Sequence, residues 1–143
     1  MEDLTLTDMD GNTYTMESLK GKAIVIDFWF VTCAACIEEM PELNTMKEKY
    51  GTDEVAWFGI TFDTKEQTER FLKRTQFDFT IIPNGKPITN RFGIKFYPTT
   101  LVLDENHEVV YTGDSGPILN APKEIEKALK KVLKSIKKHK NKA

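Results

Sequence analysis

The sequence predicts a single α/β domain: a mixed central β-sheet flanked by helices, with an N-terminal β-hairpin extension over residues 1–22. Three observations lead there. The nearly continuous apolar and aromatic run from Ala23 to Phe30 is what a central strand covered on both faces requires. Apolar residues then recur at helical spacing over residues 34–50 and again over residues 125–136. Strand-like and helix-like segments alternate as β-α-β and then β-β-α, an order that gives a mixed sheet with helices on both faces. At 143 residues, with no internal repeat and no low-complexity linker, the chain fits one domain spanning residues 1–143.

Each element has its own local cause. Leu4-Thr5-Leu6 and Thr13-Tyr14-Thr15 flank the turn-rich Asp8-Met9-Asp10-Gly11-Asn12, where glycine supplies positive φ for a hairpin. After the Ala23–Phe30 strand, Ile37, Met40, Leu43 and Met46 mark one face of a helix from Ala34 to Tyr50. Pro41 inside that helix removes one ladder hydrogen bond and predicts a kink. Val55–Phe62 reads as the next strand, and Lys65–Thr75 as a helix with Phe71 and Leu72 facing inward. Thr99–Leu103 and Val109–Thr112 read as strands joined in a hairpin by Asp104-Glu105-Asn106-His107. The last helix starts near Ala121 and Pro122 with Asn120 as its cap, and carries Ile125, Leu129, Val132, Leu133 and Ile136 on one stripe.

Composition removes several function classes. Hydrophobic residues at 40% and charged residues at 29% are ordinary for a soluble protein, and no apolar run reaches the roughly 20 residues of a membrane span. Met1-Glu2-Asp3-Leu4 has neither the basic nor the apolar region of a signal peptide. The net charge of −2 hides a split: residues 123–143 hold nine Lys against two Glu (+7), whereas residues 1–122 hold eleven Lys and Arg against twenty Asp and Glu (−9). With an acidic body and no aromatic residues among those lysines, nucleic acid is not an expected partner. The lysines read as a solvated helix face ending in a flexible basic tail at residues 139–143.

The chemistry lies in Cys33-Ala34-Ala35-Cys36, at the junction of the apolar strand and the helix after it. A bridge between cysteines three positions apart restrains the unfolded chain little, so stability does not explain the pair. A sulfur at a helix N-terminus faces unpaired N–H groups and the positive end of the macrodipole, which favour the thiolate. Cys33 is therefore the expected nucleophile. Cys36, one turn on and more buried, would attack a mixed disulfide at Cys33 and release the product. A zinc site would need about four ligands, and only His107 and His139 remain to complete one. A buried, inert thiol pair is the other competing possibility.

Ile26-Asp27-Phe28-Trp29-Phe30-Val31-Thr32-Cys33-Ala34-Ala35-Cys36, continued by Glu39-Met40-Pro41, resembles the active-site strand and helix of thioredoxin-like proteins. Tyr97-Pro98-Thr99-Thr100-Leu101-Val102-Leu103-Asp104 resembles the family's cis-proline segment and the strand after it. Leu6 through Asp10-Gly11 to Leu19-Lys20-Gly21-Lys22 is similar to the TlpA/ResA-like branch. The resemblance covers roughly Leu4 to Leu133. It implies a thioredoxin fold and a thiol-disulfide oxidoreductase, commonly of the bacterial periplasm or cell envelope; the cytoplasm stays open. It implies no cofactor beyond the redox-active Cys33–Cys36 disulfide. The partners it implies are a protein disulfide or dithiol and an upstream thiol donor, acting on a monomer.

It also assigns roles. Asp27, a carboxylate in an apolar strand, is costly unless paired or neutral; it reads either as a satisfied core acid or, by the resemblance, as proton acceptor for Cys36. Pro98 reads as a cis proline, with the Tyr97 backbone beside Cys33 pairing with an extended substrate. Trp29 reads first as a core aromatic, and stands with Tyr97, Pro98 and Thr99 among the substrate-binding candidates. The chain departs from the family at Thr32, where an aromatic is usual, at Ala34-Ala35, where proline is common, and at Ile37, where a basic residue is common. Those changes tune the thiolate and leave substrate and direction open. An acidic residue usual after the second central strand falls somewhere in Phe62-Asp63-Thr64-Lys65-Glu66. Three alternatives differ in chemistry. A peroxiredoxin-like peroxidase would need proline and threonine before its cysteine, a copper carrier would need a histidine such as His107, and a scaffold would have lost turnover.

Overall fold

The computed structural model describes residues 4–114 and 121–142. Its elements run β1 (Thr5–Thr7), β2 (Thr13–Thr15), β3 (Ala23–Trp29), α1 (Ala34–Tyr50), β4 (Val55–Thr61), α2 (Lys65–Leu72), β5 (Thr80–Ile82), α3 (Lys86–Arg91), β6 (Thr99–Leu103), β7 (Val109–Asp114) and α4 (Ala121–Lys142). The main sheet has the order β5-β4-β3-β6-β7, with β3 parallel to β4, β4 parallel to β5, and β6 antiparallel to both β3 and β7. The hairpin β1-β2 forms a separate two-stranded sheet in the register Leu6 to Tyr14.

Strand β3 is buried along its whole length, which its unbroken apolar run anticipates. Its alternation divides the core. Ala23, Val25 and Trp29 face α1 and α4 in a cluster with Cys36, Met40, Leu43, Ile125 and Leu129. Ile24, Ile26 and Phe28 face the other way, against Leu4, Leu6, Met16 and Leu19 of the N-terminal segment, with Ile88 and Phe92 at its edge. Asp27 lies between Val25 and Trp29 in the alternation and so points to the cysteine side.

Several boundaries differ from the sequence reading. β3 stops at Trp29 and β4 at Thr61, so Phe30 and Phe62 lie just beyond the strands. α2 ends at Leu72, where Arg74 and Thr75 N–H both turn back to the Phe71 carbonyl. α1 continues through Pro41 as one helix. α4 runs on through residues 139–142, where a flexible tail was expected; Lys140 pairs there with Glu54 at 3.2 Å. The expected cap Asn120 lies outside the described residues. β5 and α3 have no counterpart in the sequence reading.

Gly59 shows how tightly the cysteine-side core is filled. A Cβ there would sit 2.8 Å from the Phe77 ring and 3.1 Å from the Trp29 indole nitrogen. Gly59→Ala is expected to cost about 1–3 kcal/mol through overpacking, read as a lower urea midpoint with an unchanged slope. An unaltered midpoint would mean that Trp29 and Phe77 yield freely.

Candidate active site

Strand β3 delivers the chain to the carboxyl end of the sheet, and residues 30–32 carry it to the start of α1. Cys33 is the N-cap, with extended backbone (φ −90°, ψ 99°), and its Sγ accepts the Cys36 N–H at 3.2 Å. Its own N–H donates to the Phe30 carbonyl at 3.1 Å. Cys33 and Cys36 are joined as a disulfide. Cys33 is 6% exposed and Cys36 fully buried, the order of access expected, although Cys33 is less open than a free helix terminus suggests. No acidic side chain stands in the first turn to oppose a thiolate.

Two carboxyls, Asp27 on the cysteine-facing side of β3 and Glu39 on α1, interact electrostatically. Asp27 is fully buried; Thr100 Oγ1 donates to its Oδ1 at 3.1 Å, while Oδ2 has no partner among the described residues. Burial first, and the charge of Glu39 second, hold the Asp27 carboxyl well above the usual carboxylate range, against the Thr100 hydrogen bond. Glu39, half-buried one helical turn after Cys36, is raised to about 7 by burial and then by Glu42. Sequence reading passed Glu39 over. Its place three residues after Cys36, on the same face of α1, is the signal that it turns inward.

Asp63 is a second residue whose role emerges only in space. Its buried carboxylate accepts the Val31 N–H at 2.9 Å and the Thr61 hydroxyl, and its carbonyl accepts the Asn84 N–H at 2.8 Å. The segments leaving β3, β4 and β5 are thereby tied together two residues before the reactive cysteine. It occupies the stretch where an acidic residue was expected but not placed.

The Tyr97–Pro98 peptide bond is cis, and Tyr97 packs on Phe30 with centroids 5.3 Å apart. Thr99 is buried and its hydroxyl donates to the Phe96 carbonyl at 2.6 Å, so its side chain is spent internally. Trp29 needs correction as a substrate-binding candidate. It is fully buried against Phe71 and Phe77, at centroid distances of 5.0 and 5.5 Å, and cannot touch a docked substrate. Among the described residues no group of three or more His, Cys, Asp and Glu is placed to hold a metal ion. His107 instead reaches the Leu19 carbonyl at 3.0 Å.

Comparison with known proteins places this geometry among relatives. The profile of the AhpC/TSA family matches residues 1–112. The thioredoxin-like protein YneN of Bacillus subtilis is 29% identical over 107 residues, covering 72% of this chain and 62% of its own length. The thiol-disulfide oxidoreductase ResA of Halalkalibacterium halodurans is 29% identical over 113 residues, 78% of this chain and 64% of its own. The chain thus spans less than two-thirds of the length of these curated relatives. In fold it is similar to a Chlorobium tepidum protein assigned as a thiol:disulfide interchange protein DsbE. Their TM-score is 0.81 at 21% identity, over 91% of this chain and 92% of the other.

Proposed function

The chain belongs to the AhpC/TSA family, and we propose that it is a thiol-disulfide oxidoreductase that reduces protein disulfides through Cys33 and Cys36. The observation carrying this reading is the cysteine pair itself: the slightly exposed Cys33 caps the helix with its sulfur, and its fully buried disulfide partner lies one turn on.

In the dithiol form the Cys33 thiolate attacks one sulfur of the substrate disulfide; an S–S bond forms to Cys33, and the other substrate sulfur leaves as thiolate. Cys36 gives its proton to Asp27, directly or through a water, and attacks the Cys33 sulfur. The second substrate sulfur leaves, taking up a proton. Two electrons have passed to the substrate and the Cys33–Cys36 disulfide remains, to be reduced by an upstream thiol donor. Asp27 suits the acceptor role because burial raises its affinity for a proton, and Glu39 shares the same pocket of charge. The Tyr97–Pro98 segment holds the substrate backbone beside Cys33. By family resemblance we place the work outside the cytoplasm. Among the described residues no helix is long and apolar enough to cross a membrane.

Peroxide reduction is the less favoured chemistry, since Phe30-Val31-Thr32 supplies no proline ahead of Cys33. The deciding experiment mixes the reduced protein with oxidised insulin and counts thiols. Two substrate thiols per protein, with the Cys33–Cys36 disulfide regained, is the expected result; intact insulin after hours of incubation would remove the reading. A reduction potential near roughly −270 mV rather than near −120 mV fixes the direction as reductive.

A further inference from the structure

From Lys127 to Lys138 helix α4 holds six lysines and not one Asp or Glu, in a chain whose first 122 residues are net acidic. At about 100° per residue, Lys127, Lys130, Lys131, Lys134, Lys137 and Lys138 fall within an arc of roughly 120°. All six are exposed, and the arc lies opposite the stripe of Ile125, Leu129, Val132 and Ile136 that is buried in the core. Because α4 is helical throughout this stretch, the lysines form a fixed row about 17 Å long.

Solubility alone does not explain the row. Opposite charges three or four positions apart stabilise a helix and like charges destabilise it, so a solvated face is best served by interleaved Glu and Lys. Here Lys134 instead has Lys130, Lys131, Lys137 and Lys138 as its neighbours at that spacing. The helix dipole favours lysine in the last turn, which leaves Lys127 to Lys134 without that cause. Nor do these lysines neutralise the acidic body: among the described residues, the ion pair they make is that of Lys130 with Glu126 of the same helix, at 3.9 Å. Helix α1 packs beside α4, joined to it where Lys49 and Tyr50 meet Glu126, and its outer face has the opposite sign, with Glu38, Glu42 and Glu48 exposed.

We propose that the lysine row of α4 is a docking surface for an anionic lipid bilayer. The row lies along the membrane, and repulsion of the acidic α1 face tilts the start of α1, with Cys33, away from the lipid. A bilayer asks only that the charges share one plane, which a straight helix face supplies, and the row contains no aromatic residue on which a nucleic-acid base could stack. The contact is electrostatic throughout, because the apolar stripe is already spent on the core and does not insert. Each lysine brought to an anionic surface strengthens binding about fivefold. The cysteine chemistry proposed above is independent of this surface.

The test is cosedimentation of the full chain with vesicles of phosphatidylcholine alone and of equal parts phosphatidylcholine and phosphatidylglycerol. It is run at about 0.1 M salt and at about 1 M, where the Debye length falls from about 10 Å to about 3 Å. Binding is expected to the mixed vesicles at low salt only. Replacing Lys127, Lys131, Lys134 and Lys138 together by Gln is expected to weaken it about 10²-fold, whereas the same charge change at the exposed Lys20, Lys65, Lys73 and Lys86 leaves it within about threefold of wild type. Far-UV circular dichroism checks that each variant is folded; should the α4 variant not fold, Lys134→Glu takes its place, with about a tenfold loss expected. A wild type that does not distinguish the two vesicles overturns the proposal. So does an equal loss in the two quadruple variants, which would make net charge the cause, or an unchanged affinity in the α4 variant. Tighter binding to a duplex oligonucleotide than to the mixed vesicles at the same salt would assign the row to nucleic acid instead.

Discussion

Cys36→Ser is expected to accumulate a stable mixed disulfide between Cys33 and its substrate, while Cys33→Ser accumulates none and loses turnover by at least roughly 10³-fold. The asymmetry follows from position. Only Cys33 sits where the α1 N–H groups and the helix dipole favour a thiolate, and of the two cysteines only Cys33 keeps any exposure. Cys36 is sealed in the core cluster beside Met40 and Leu43, reachable by a neighbouring sulfur but not by a macromolecule. With serine at position 36 the first exchange proceeds and the second lacks its nucleophile. Non-reducing electrophoresis and mass spectrometry of the adduct read the result directly. Adducts forming on Cys36 in the Cys33→Ser protein would reverse the assignment.

The second large effect is at Asp27, where stability and turnover are expected to move in opposite directions. Burial raises the folded-state pKa, so the unfolded chain ionises this carboxyl at lower pH than the folded chain does. Folding stability contributed by this group is therefore highest below the unfolded pKa of about 3.9. It declines as pH rises toward the folded pKa and is level beyond it. Asp27→Asn removes that decline and should stabilise the protein at neutral pH by about 1–3 kcal/mol, the usual scale for an unsatisfied buried polar group. The same change removes the acceptor for the Cys36 proton, slowing resolution of the mixed disulfide about 10²-fold and leaving the first attack by Cys33 nearly intact. Urea midpoints at pH 5, 7 and 8, with rapid-quench analysis of the two exchange steps, test both halves. An Asn variant that is less stable and resolves normally would leave Asp27 a structural carboxylate only.

Much of this site is legible in the sequence alone, and for physical reasons. The β3 run and the α1 stripe are long, strongly patterned segments, so the junction holding Cys33 and Cys36 could be placed almost to the residue. Asp27 announced itself as a charge among Ile26, Phe28 and Trp29. β5 and α3 were not legible. Three residues, Thr80-Ile81-Ile82, are too few to show a period. α3 spans six residues, includes a proline in its first turn, and has no side-chain cap.

The residues that complete the site escaped for a different reason. Asp63 and Thr100 act through partners 32 and 73 positions away, Val31 for Asp63 and Asp27 for Thr100. Only sheet register brings such pairs together, and a single sequence carries no local mark of register. Trp29, read first as a core aromatic, is one: strand alternation turns it inward, which removes its second reading as a substrate contact.

The Cys36 N–H to Cys33 Sγ hydrogen bond makes one sulfur serve both as helix cap and as electron carrier. A thiolate accepts such a bond more strongly than a disulfide sulfur does, so opening the bridge tightens the start of α1 and closing it loosens that start. A thermodynamic cycle joins the folding free energies of the oxidised and reduced chains to their redox equilibrium. Any contact that favours the reduced fold makes the protein a stronger oxidant, by about 30 mV for each 1.4 kcal/mol. Buried Asp27 and half-buried Glu39 act in the other direction by disfavouring a further negative charge on the cysteine side of the sheet. The working potential is thus a property of the whole helix and its floor, open to adjustment by substitutions along α1 that never touch sulfur.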